Sequence, residues 1–319
     1  MIRTFSRILR VSFLLAASLL LGCSGKELYT VLIDFSRAQS GLMRKIEPIG
    51  GGLSMAYLTN ASRKHPTLVM VHGFGANKEV WLPLAARLHR DYHLILPDLV
   101  GDGESSQPMT ADYSIEAQAQ RLHRLLTRLH IRRPILVGNS MGGAISTVYA
   151  SRYPTGGLIL IDPLGLEREK SYLQKLGTQE AKKVFLGICN AQEMEHFVGM
   201  VFDHPPYIPG VLLEYMAREK CRLSALDVRK SRYLYRRDGG WVFARRFPDY
   251  ACRIPVPTLI LWGRRDKILH PKNAMEFHRL IPRSQVIYME GAGHVPMMEK
   301  PTETAKYIRE FCDRNLTQQ

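Results

Sequence analysis

The order of apolar and polar positions along the chain predicts strands and helices in turn. Short apolar runs are typical of buried strands, and they occupy residues 67–71, 134–137, 157–161, 257–263 and 285–289. Apolar residues at helical spacing predict helices over residues 77–90, 114–130, 271–281 and 302–314. This alternation predicts an α/β fold with a mainly parallel sheet and helices on both faces. A functional site is then expected at the carboxyl ends of the strands.

The alternation stops between residues 163 and 250. This stretch is helical in character and carries apolar groups at residues 184–186, 197–198, 200–202 and 207–208. We therefore predict a core in two pieces, residues 48–162 and 251–319, interrupted by a helical cap over residues 163–250. Most apolar cap residues must pack on the core, and a minority facing the site would line an apolar pocket.

The first 22 residues have the composition of a secretory signal. Arg3, Arg7 and Arg10 precede a short apolar stretch, residues 11–21, which is too short for a comfortable membrane span. The signal ends in residues 20–23 (LLGC), which resemble the lipobox of bacterial lipoproteins. That resemblance implies cleavage before Cys23 and acylation of this residue, and several acyl chains attach a protein firmly to a membrane. A plain cleavable signal or an uncleaved anchor is the alternative.

The predicted location follows from this segment. We expect an exported protein of the bacterial cell envelope, and Ser24 resembles the sorting signal for the outer membrane. Residues 23–47 would form a tether, in which residues 27–43 have an amphipathic character. The apolar side of that segment would lie against the membrane or against the core, and the pattern does not distinguish the two.

Composition and charge fit a globular domain. The chain has 319 residues, 45% hydrophobic and 23% charged, which is enough for one large core with an insertion. The formal net charge of +15 favours attraction to anionic lipid, although scattered solvated charges would give the same total. Basic residues cluster in the predicted cap between residues 229 and 246. Nucleic acid is not an expected partner, because the chain is exported and carries no recognised binding motif.

Five cysteines have to be placed. Cys23 is assigned to lipid, and an oxidising compartment permits disulfides among the other four. Four cysteines allow three full pairings, so the pairing of Cys189, Cys221, Cys252 and Cys312 stays open. No spacing predicts a metal site, and no cofactor is expected.

The most informative motif is a candidate nucleophile turn at residues 138–142 (GNSMG), between the strand at 134–137 and a predicted helix over residues 143–150. A sharp turn from strand to helix forces its central residue into strained backbone geometry and needs small residues two positions away on either side. Gly138 and Gly142 meet that need, and Ser140 is the predicted nucleophile.

A serine needs a base to remove its proton and an acid to orient that base. On this kind of fold the partners follow in the order Ser, Asp or Glu, His. Asp266 follows the predicted strand at 257–263, and His294 follows the strand at 285–289 in a glycine-rich loop. We predict Asp266 as the acid and His294 as the base. Asp162, at the end of the strand at 157–161, is the rival acid, although a role capping that strand and the turn at Pro163 is favoured for it.

Acyl transfer also needs backbone N–H donors for the developing oxyanion. The strand at 67–71 runs directly into residues 72–75 (HGFG). The amides of Phe74, on this loop, and of Met141, just after the serine, are the predicted oxyanion hole.

Together these motifs resemble the α/β-hydrolases, and most closely the bacterial lipases and esterases of the monoacylglycerol-lipase type. The matching stretches are residues 72–75 (HGFG), 98–105 (DLVGDGES), 108–113 (PMTADY), 138–145 (GNSMGGAI), 205–209 (PPYIP), 262–266 (WGRRD) and 293–297 (GHVPM). The resemblance covers about residues 45 to 315 and implies a serine hydrolase of lipid-type carboxylic esters, such as monoacylglycerols or short- to medium-chain acyl esters. Two alternatives remain: a carbon–carbon bond hydrolase, which shares this serine motif, and a catalytically silent binding protein of the same fold.

Overall fold

An eight-stranded sheet forms the centre of the structure, a computed structural model that describes residues 24–60, 65–166, 169–170, 185–234, 242 and 245–316. The strands are β1 (Met43–Gly50), β2 (Leu53–Thr59), β3 (Thr67–Val71), β4 (His93–Pro97), β5 (Ile135–Asn139), β6 (Gly157–Ile161), β7 (Thr258–Gly263) and β8 (Ser284–Met289). Their order across the sheet is β1-β2-β4-β3-β5-β6-β7-β8. The six strands β3 to β8 run parallel to one another, whereas β2 is antiparallel to both of its neighbours, β1 and β4.

Helices lie between the strands along the chain, as the sequence pattern predicts. They are α1 (Gly25–Gln39), α2 (Leu82–Leu88), α3 (Ile115–Arg128), α4 (Met141–Arg152), α5 (Ala191–Val201), α6 (Gly210–Arg222), α7 (Ser224–Ser231), α8 (Phe247–Ala251), α9 (Asn273–Leu280), α10 (Pro296–Glu299) and α11 (Pro301–Leu316). Residues 77–90, predicted as one helix, form a 3-10 turn (Lys78–Trp81) followed by α2. Pro83 lies in the first turn of α2, where its missing N–H costs nothing.

Burial shows that the middle of the sheet is covered on both faces. Every residue of β5, β6 and β7 is buried, the pattern of parallel strands between two helical layers. Large side chains such as Trp81, Trp262 and Phe277 are fully buried in the same core. The α/β fold with a mainly parallel sheet is therefore confirmed, and the carboxyl ends of its central strands meet at one edge.

The N-terminal end of the sheet differs from the predicted domain boundary. The sequence predicts a tether that ends at residue 47, but β1 starts at Met43 and pairs with β2 from Met43 opposite Thr59 onward. The pairing of β1 with β2 thus extends the core toward the N-terminus. The predicted signal and Cys23 lie outside the described residues. Among the helices that are described, each is too short or too polar to cross a membrane.

Helix α1 resolves the amphipathic segment into two sides. It begins at an N-cap formed by Ser24, whose hydroxyl accepts from the Glu27 amide while the Glu27 carboxylate accepts from the Ser24 amide. Leu28 is buried, and the helix packs against α6 and α2. Val31, Leu32 and Phe35 are 46% to 60% exposed. One side of α1 therefore lies on the protein, and an apolar strip faces outward.

Between β6 and β7 the described residues form helices α5 to α8. Ile188, Met194, Val198, Leu213 and Ala217 form a second small core, and a disulfide joins Cys189 to Cys221. Cys252 and Cys312 are free thiols. The sequence left the cysteine pairing open, and the structure contains the Cys189–Cys221 bond. Both cysteines lie inside the predicted cap.

Candidate active site

Ser140 occupies the turn between β5 and α4, in a strained backbone conformation with φ 55° and ψ −121°. A positive φ is uncommon for a residue with a side chain and is maintained only by surrounding structure. Here the Ser140 amide donates to the Ile161 carbonyl (3.1 Å), and the Ser140 carbonyl accepts from the Leu164 amide (2.9 Å). The end of β6 therefore holds the serine turn in place.

The two flanking glycines are required by close backbone approaches. A Cβ atom on Gly138 would lie 2.3 Å from the Gly142 carbonyl oxygen, and one on Gly142 would lie 2.0 Å from the Val71 carbonyl oxygen. Both distances are far below van der Waals contact. Helix α4 can therefore start this close to β3 and β5 only with glycine at both positions.

His294 and Asp266 form a hydrogen-bonded pair in loops that follow β8 and β7. The Nδ1 atom of His294 lies 2.8 Å from Oδ2 of Asp266. The other carboxylate oxygen, Oδ1, accepts from the amides of Ile268 (2.8 Å) and Leu269 (3.0 Å). These two amides fix the carboxylate, so that it orients the imidazole with the proton on Nδ1 and leaves Nε2 as an acceptor.

Asn139 connects the serine turn to the histidine loop. Its side-chain amide donates to the main-chain oxygens of Ile161 and His294, both at 3.1 Å. The residue is 4% exposed. In the sequence this asparagine is visible only as part of the motif around Ser140, because no local pattern shows which distant carbonyl it binds.

Glu299 is a second supporting residue that the sequence did not reveal. Its carboxylate accepts from the Gly293 amide (2.6 Å) and from the Asp203 amide (2.7 Å). The His294 amide in turn donates to the carbonyl of Val201, the last residue of α5. The histidine loop is thus bonded both to α10 and to the end of a cap helix.

Asp162, the rival acid, lies beside the pair but is not bonded to His294. Its Oδ1 atom accepts from the Gly263 amide (2.8 Å), so it caps the neighbouring strand β7, whereas we expected it to cap its own strand and the turn at Pro163. Its backbone has φ 46° and its side chain is fully buried. Burial and the nearby charge of Asp266 raise the pKa of Asp162 well above its usual value.

Asp162, Asp266 and His294 each contribute one polar atom to a group spanning no more than 4.8 Å, the one such group of possible metal donors among the described residues. Amide and imidazole N–H groups already bind three of the four carboxylate oxygens.

The loop at residues 72–75 lies next to the serine. A Cβ atom on Gly73 would be 3.1 Å from the Cβ of Ser140. The His72 ring holds the loop, because its Nδ1 donates to the Gly73 carbonyl (2.8 Å) and its Nε2 accepts from the Leu99 amide (3.0 Å). The amides of Phe74 and Met141 have no acceptor among the described residues, as free oxyanion donors require.

A buried ionic cluster, which we call the cap–core latch, joins α6 and α7 to this loop. Lys230 binds Asp102 (2.5 Å) and Asp227 (2.8 Å), and Lys220 binds Asp227 (2.8 Å). The ammonium group of Lys220 also donates to the Gly75 carbonyl (3.1 Å). Lys230 belongs to the basic cluster that the sequence predicts in the cap, but its side chain is buried and paired with two carboxylates, so it is not a surface charge.

Comparisons with known proteins agree with this arrangement. A model of the alpha/beta hydrolase family matches residues 68–307. Lipase 1 of Psychrobacter immobilis is 36% identical over 283 residues, covering 88% of this chain and 87% of that protein. The human monoacylglycerol lipase ABHD6 is 30% identical over 264 residues, and the match covers 77% of this chain and 75% of the human protein.

A solved structure is similar over nearly its whole length. It is a membrane phospholipase A, described as a bacterial virulence factor, and it is 31% identical with a TM-score of 0.83. The match covers 98% of this chain and 99% of that chain. The sheet order, the strained serine turn and these relatives lead to one conclusion: the chain belongs to the α/β-hydrolase family.

Proposed function

We propose that this protein is a serine hydrolase that cleaves carboxylic esters of lipid type through an acyl-enzyme on Ser140. The observation that carries the proposal is the Asp266–His294 hydrogen bond, which Asn139 connects to the turn that holds Ser140 in nucleophile geometry. The names of the relatives, a lipase, a monoacylglycerol lipase and a phospholipase A, support esters of lipids as the substrate class.

In the proposed mechanism, Ser140 Oγ attacks the ester carbonyl and passes its proton to His294 Nε2. The amides of Phe74 and Met141 hold the negative oxygen of the tetrahedral intermediate. Collapse of the intermediate expels the alcohol, which takes the proton from His294. Water then attacks the acyl-enzyme with His294 as base, and the fatty acid leaves while Ser140 regains its proton.

The acyl chain is proposed to lie against the end of α5. Phe197 and Phe202 are partly buried on the core there, and the neighbouring Val201 carbonyl is bonded to the His294 amide. Apolar aromatic side chains on this part of the cap would suit a monoacylglycerol or a short- to medium-chain acyl ester. The cap–core latch keeps this cap attached to the predicted oxyanion loop.

The decisive experiment has two arms. A fluorophosphonate probe should label the wild-type protein and leave Ser140→Ala unlabelled, whereas an unlabelled wild type would indicate a binding protein. Turnover should then be measured on esters of increasing chain length, with a ring-cleavage dienoate included. Preferential cleavage of the dienoate would replace ester hydrolysis by carbon–carbon bond hydrolysis.

We propose further that the protein is anchored through acylated Cys23 in the bacterial cell envelope, at the outer membrane. The lipobox-like residues 20–23 support this, and α1 follows them directly with its exposed apolar strip of Val31, Leu32 and Phe35. An apolar strip next to an anchored residue is suited to contact lipid. Cleavage before Cys23 would remove Arg3, Arg7 and Arg10 from a chain of net charge +15, and the remaining net charge of +12 would add attraction to anionic headgroups.

A further inference from the structure

Asp162 is placed against the catalytic pair by an unusual backbone conformation. It is the residue after β6, its φ is 46°, and its amide donates to the Leu261 carbonyl (3.0 Å). Left-handed backbone costs energy for any residue with a side chain, and Asp and Asn tolerate it best. In this conformation a carboxyl oxygen of Asp162 lies within 4.8 Å of polar atoms of both Asp266 and His294.

One oxygen in this group has no hydrogen-bond partner. Oδ1 of Asp162 and both oxygens of Asp266 accept from N–H groups. Oδ2 of Asp162 is buried and receives no donor. A buried ionised oxygen without a donor is strongly disfavoured, whereas a protonated oxygen becomes a donor itself and can bind the neighbouring carboxylate.

The charges around Asp162 favour the same state. The titratable groups that face it are Asp266, beside it on the loop after β7, His294 on the loop after β8, and Glu299 on α10. Two of these are carboxyl groups, and no lysine or arginine of the described chain forms an ion pair with Asp162. Two ionised carboxylates in contact repel each other, so one of them holds a proton. Asp266 is the one stabilised as an anion, because two amides and an imidazole donate to it.

We propose that Asp162 keeps its proton while the enzyme works and donates it in a hydrogen bond to the Asp266 carboxylate, as a positioning residue that acts on His294 through Asp266. An uncharged donor takes up part of the negative charge of Asp266 and holds that carboxylate toward His294. The attraction of Asp266 for the imidazolium form of His294 is thereby weakened. His294 then stays neutral, and able to act as a base, to lower pH.

Two variants test the Asp162 proposal. The measurement is the position of the acid limb in the pH profile of kcat/KM, and it rests on the proposed ester hydrolysis. Asp162→Asn retains an acceptor for the Gly263 amide and an N–H donor for Asp266, so we expect the limb to stay in place. Asp162→Ala removes the donor, and we expect the limb to move to higher pH by about half a unit to one unit. A move to lower pH in both variants would mean that Asp162 is ionised in the wild type. An acid limb that does not move in Asp162→Ala would mean that the Asp162 side chain contributes only to packing. Either result overturns the proposal.

A spectroscopic measurement decides the question without any turnover and without the alanine variant. The infrared difference spectrum of wild type minus Asp162→Asn at neutral pH should contain the carbonyl band of a protonated carboxyl group. Its absence would overturn the proposal. Because this band does not depend on a substrate, it separates failure of the Asp162 proposal from failure of the proposed esterase activity.

Discussion

The side-chain amide of Asn139 lies 3.1 Å from the main-chain oxygen of His294, a residue 155 positions later in the chain. Through this bond the strand that ends at the serine holds the loop that carries the proposed base. The same amide group also binds the end of β6, so three strand ends are fixed relative to one another by a single side chain.

Replacing Asn139 by alanine should reduce activity more than it reduces stability. We expect kcat/KM to fall about tenfold, the equivalent of one hydrogen bond, because the His294 loop loses its tie to the serine turn. Asn60→Ala is a matched control. That buried asparagine also bridges main-chain groups, of His89, Tyr92 and Leu94, but at β2 and β4. It should lower the melting temperature and leave the kcat/KM of the folded protein unchanged. Equal losses of activity in the two variants would contradict this.

Ser140 and His294 should behave as one catalytic unit. Ser140→Ala and His294→Ala are each expected to lower ester turnover by several orders of magnitude, and the double variant should be little worse than either single one. The measurement is single-turnover and steady-state hydrolysis of a soluble ester. If Ser140→Ala retained more than about a tenth of wild-type turnover, the acyl-enzyme mechanism would be excluded.

Asp266 and Asp162 should differ sharply as asparagine variants. Asp266→Asn presents an amide in place of the carboxylate that orients His294, so we expect kcat to fall by about a thousandfold or more. Asp162→Asn should stay close to wild type, since a neutral donor replaces a neutral donor. Circular dichroism would establish that both variants are folded. The reverse ranking would make Asp162 the catalytic acid.

The cap–core latch predicts a pH-dependent contribution to stability. Burial alone would raise the pKa of Asp227, but the ammonium groups of Lys220 and Lys230 outweigh burial and hold this pKa below its usual value. A carboxyl group with a lowered folded pKa stabilises the protein above its unfolded pKa, and this stability is lost as the pH falls through the folded pKa.

We therefore expect Asp227→Asn to lower the free energy of unfolding at pH 7 by about 3 kcal/mol. The difference from wild type should shrink as the pH falls from about 4 through the lowered pKa of folded Asp227, because the wild-type side chain then becomes neutral as well. Denaturant unfolding over a pH series measures this difference in the free energy of unfolding. Asp91→Asn is the control, because Asp91 pairs with Arg309 at the surface and should contribute less than about 1 kcal/mol. A difference that persists undiminished in acid would exclude the charge of Asp227 as its cause.

The anchor proposal predicts a separation between two kinds of substrate. Cys23→Ser should prevent acylation while leaving hydrolysis of soluble esters intact, because Cys23 precedes β1, the first strand of the core, in the chain. Hydrolysis of lipid in a bilayer should fall more, since tethering raises the local concentration of enzyme at its substrate. Membrane fractionation with fatty-acid labelling, followed by assays on both substrate forms, tests this. A wild-type protein that takes up no label would remove the anchor and leave the hydrolase proposal intact.

Local patterns in the sequence predicted the fold class and supplied the members of the candidate site, although β1, β2 and β4 were not predicted. Five strands, among them β3, β5 and β7, are visible as apolar runs, and the strand-to-helix turn around Ser140 is encoded in five adjacent residues. Asp266 and His294 could be selected because each follows a strand, and parallel strands bring their carboxyl ends to one edge. The sequence patterns did not predict the bridging role of Asn139 or any role for Glu299. Both side chains bind main-chain atoms of other segments, which no local motif specifies.

The sequence by itself determined the α/β order of elements, the nucleophile turn and the chain order of serine, acid and histidine, because each depends on neighbouring residues and on backbone sterics. Only the tertiary structure decided which aspartate binds His294, that Cys189 pairs with Cys221, and that Lys230 is buried against Asp102. These outcomes depend on distances between segments far apart in the chain. Burial and the charge of its neighbours, rather than residue type, determine whether such a group is a catalytic acid, a proton-holding partner or part of a latch.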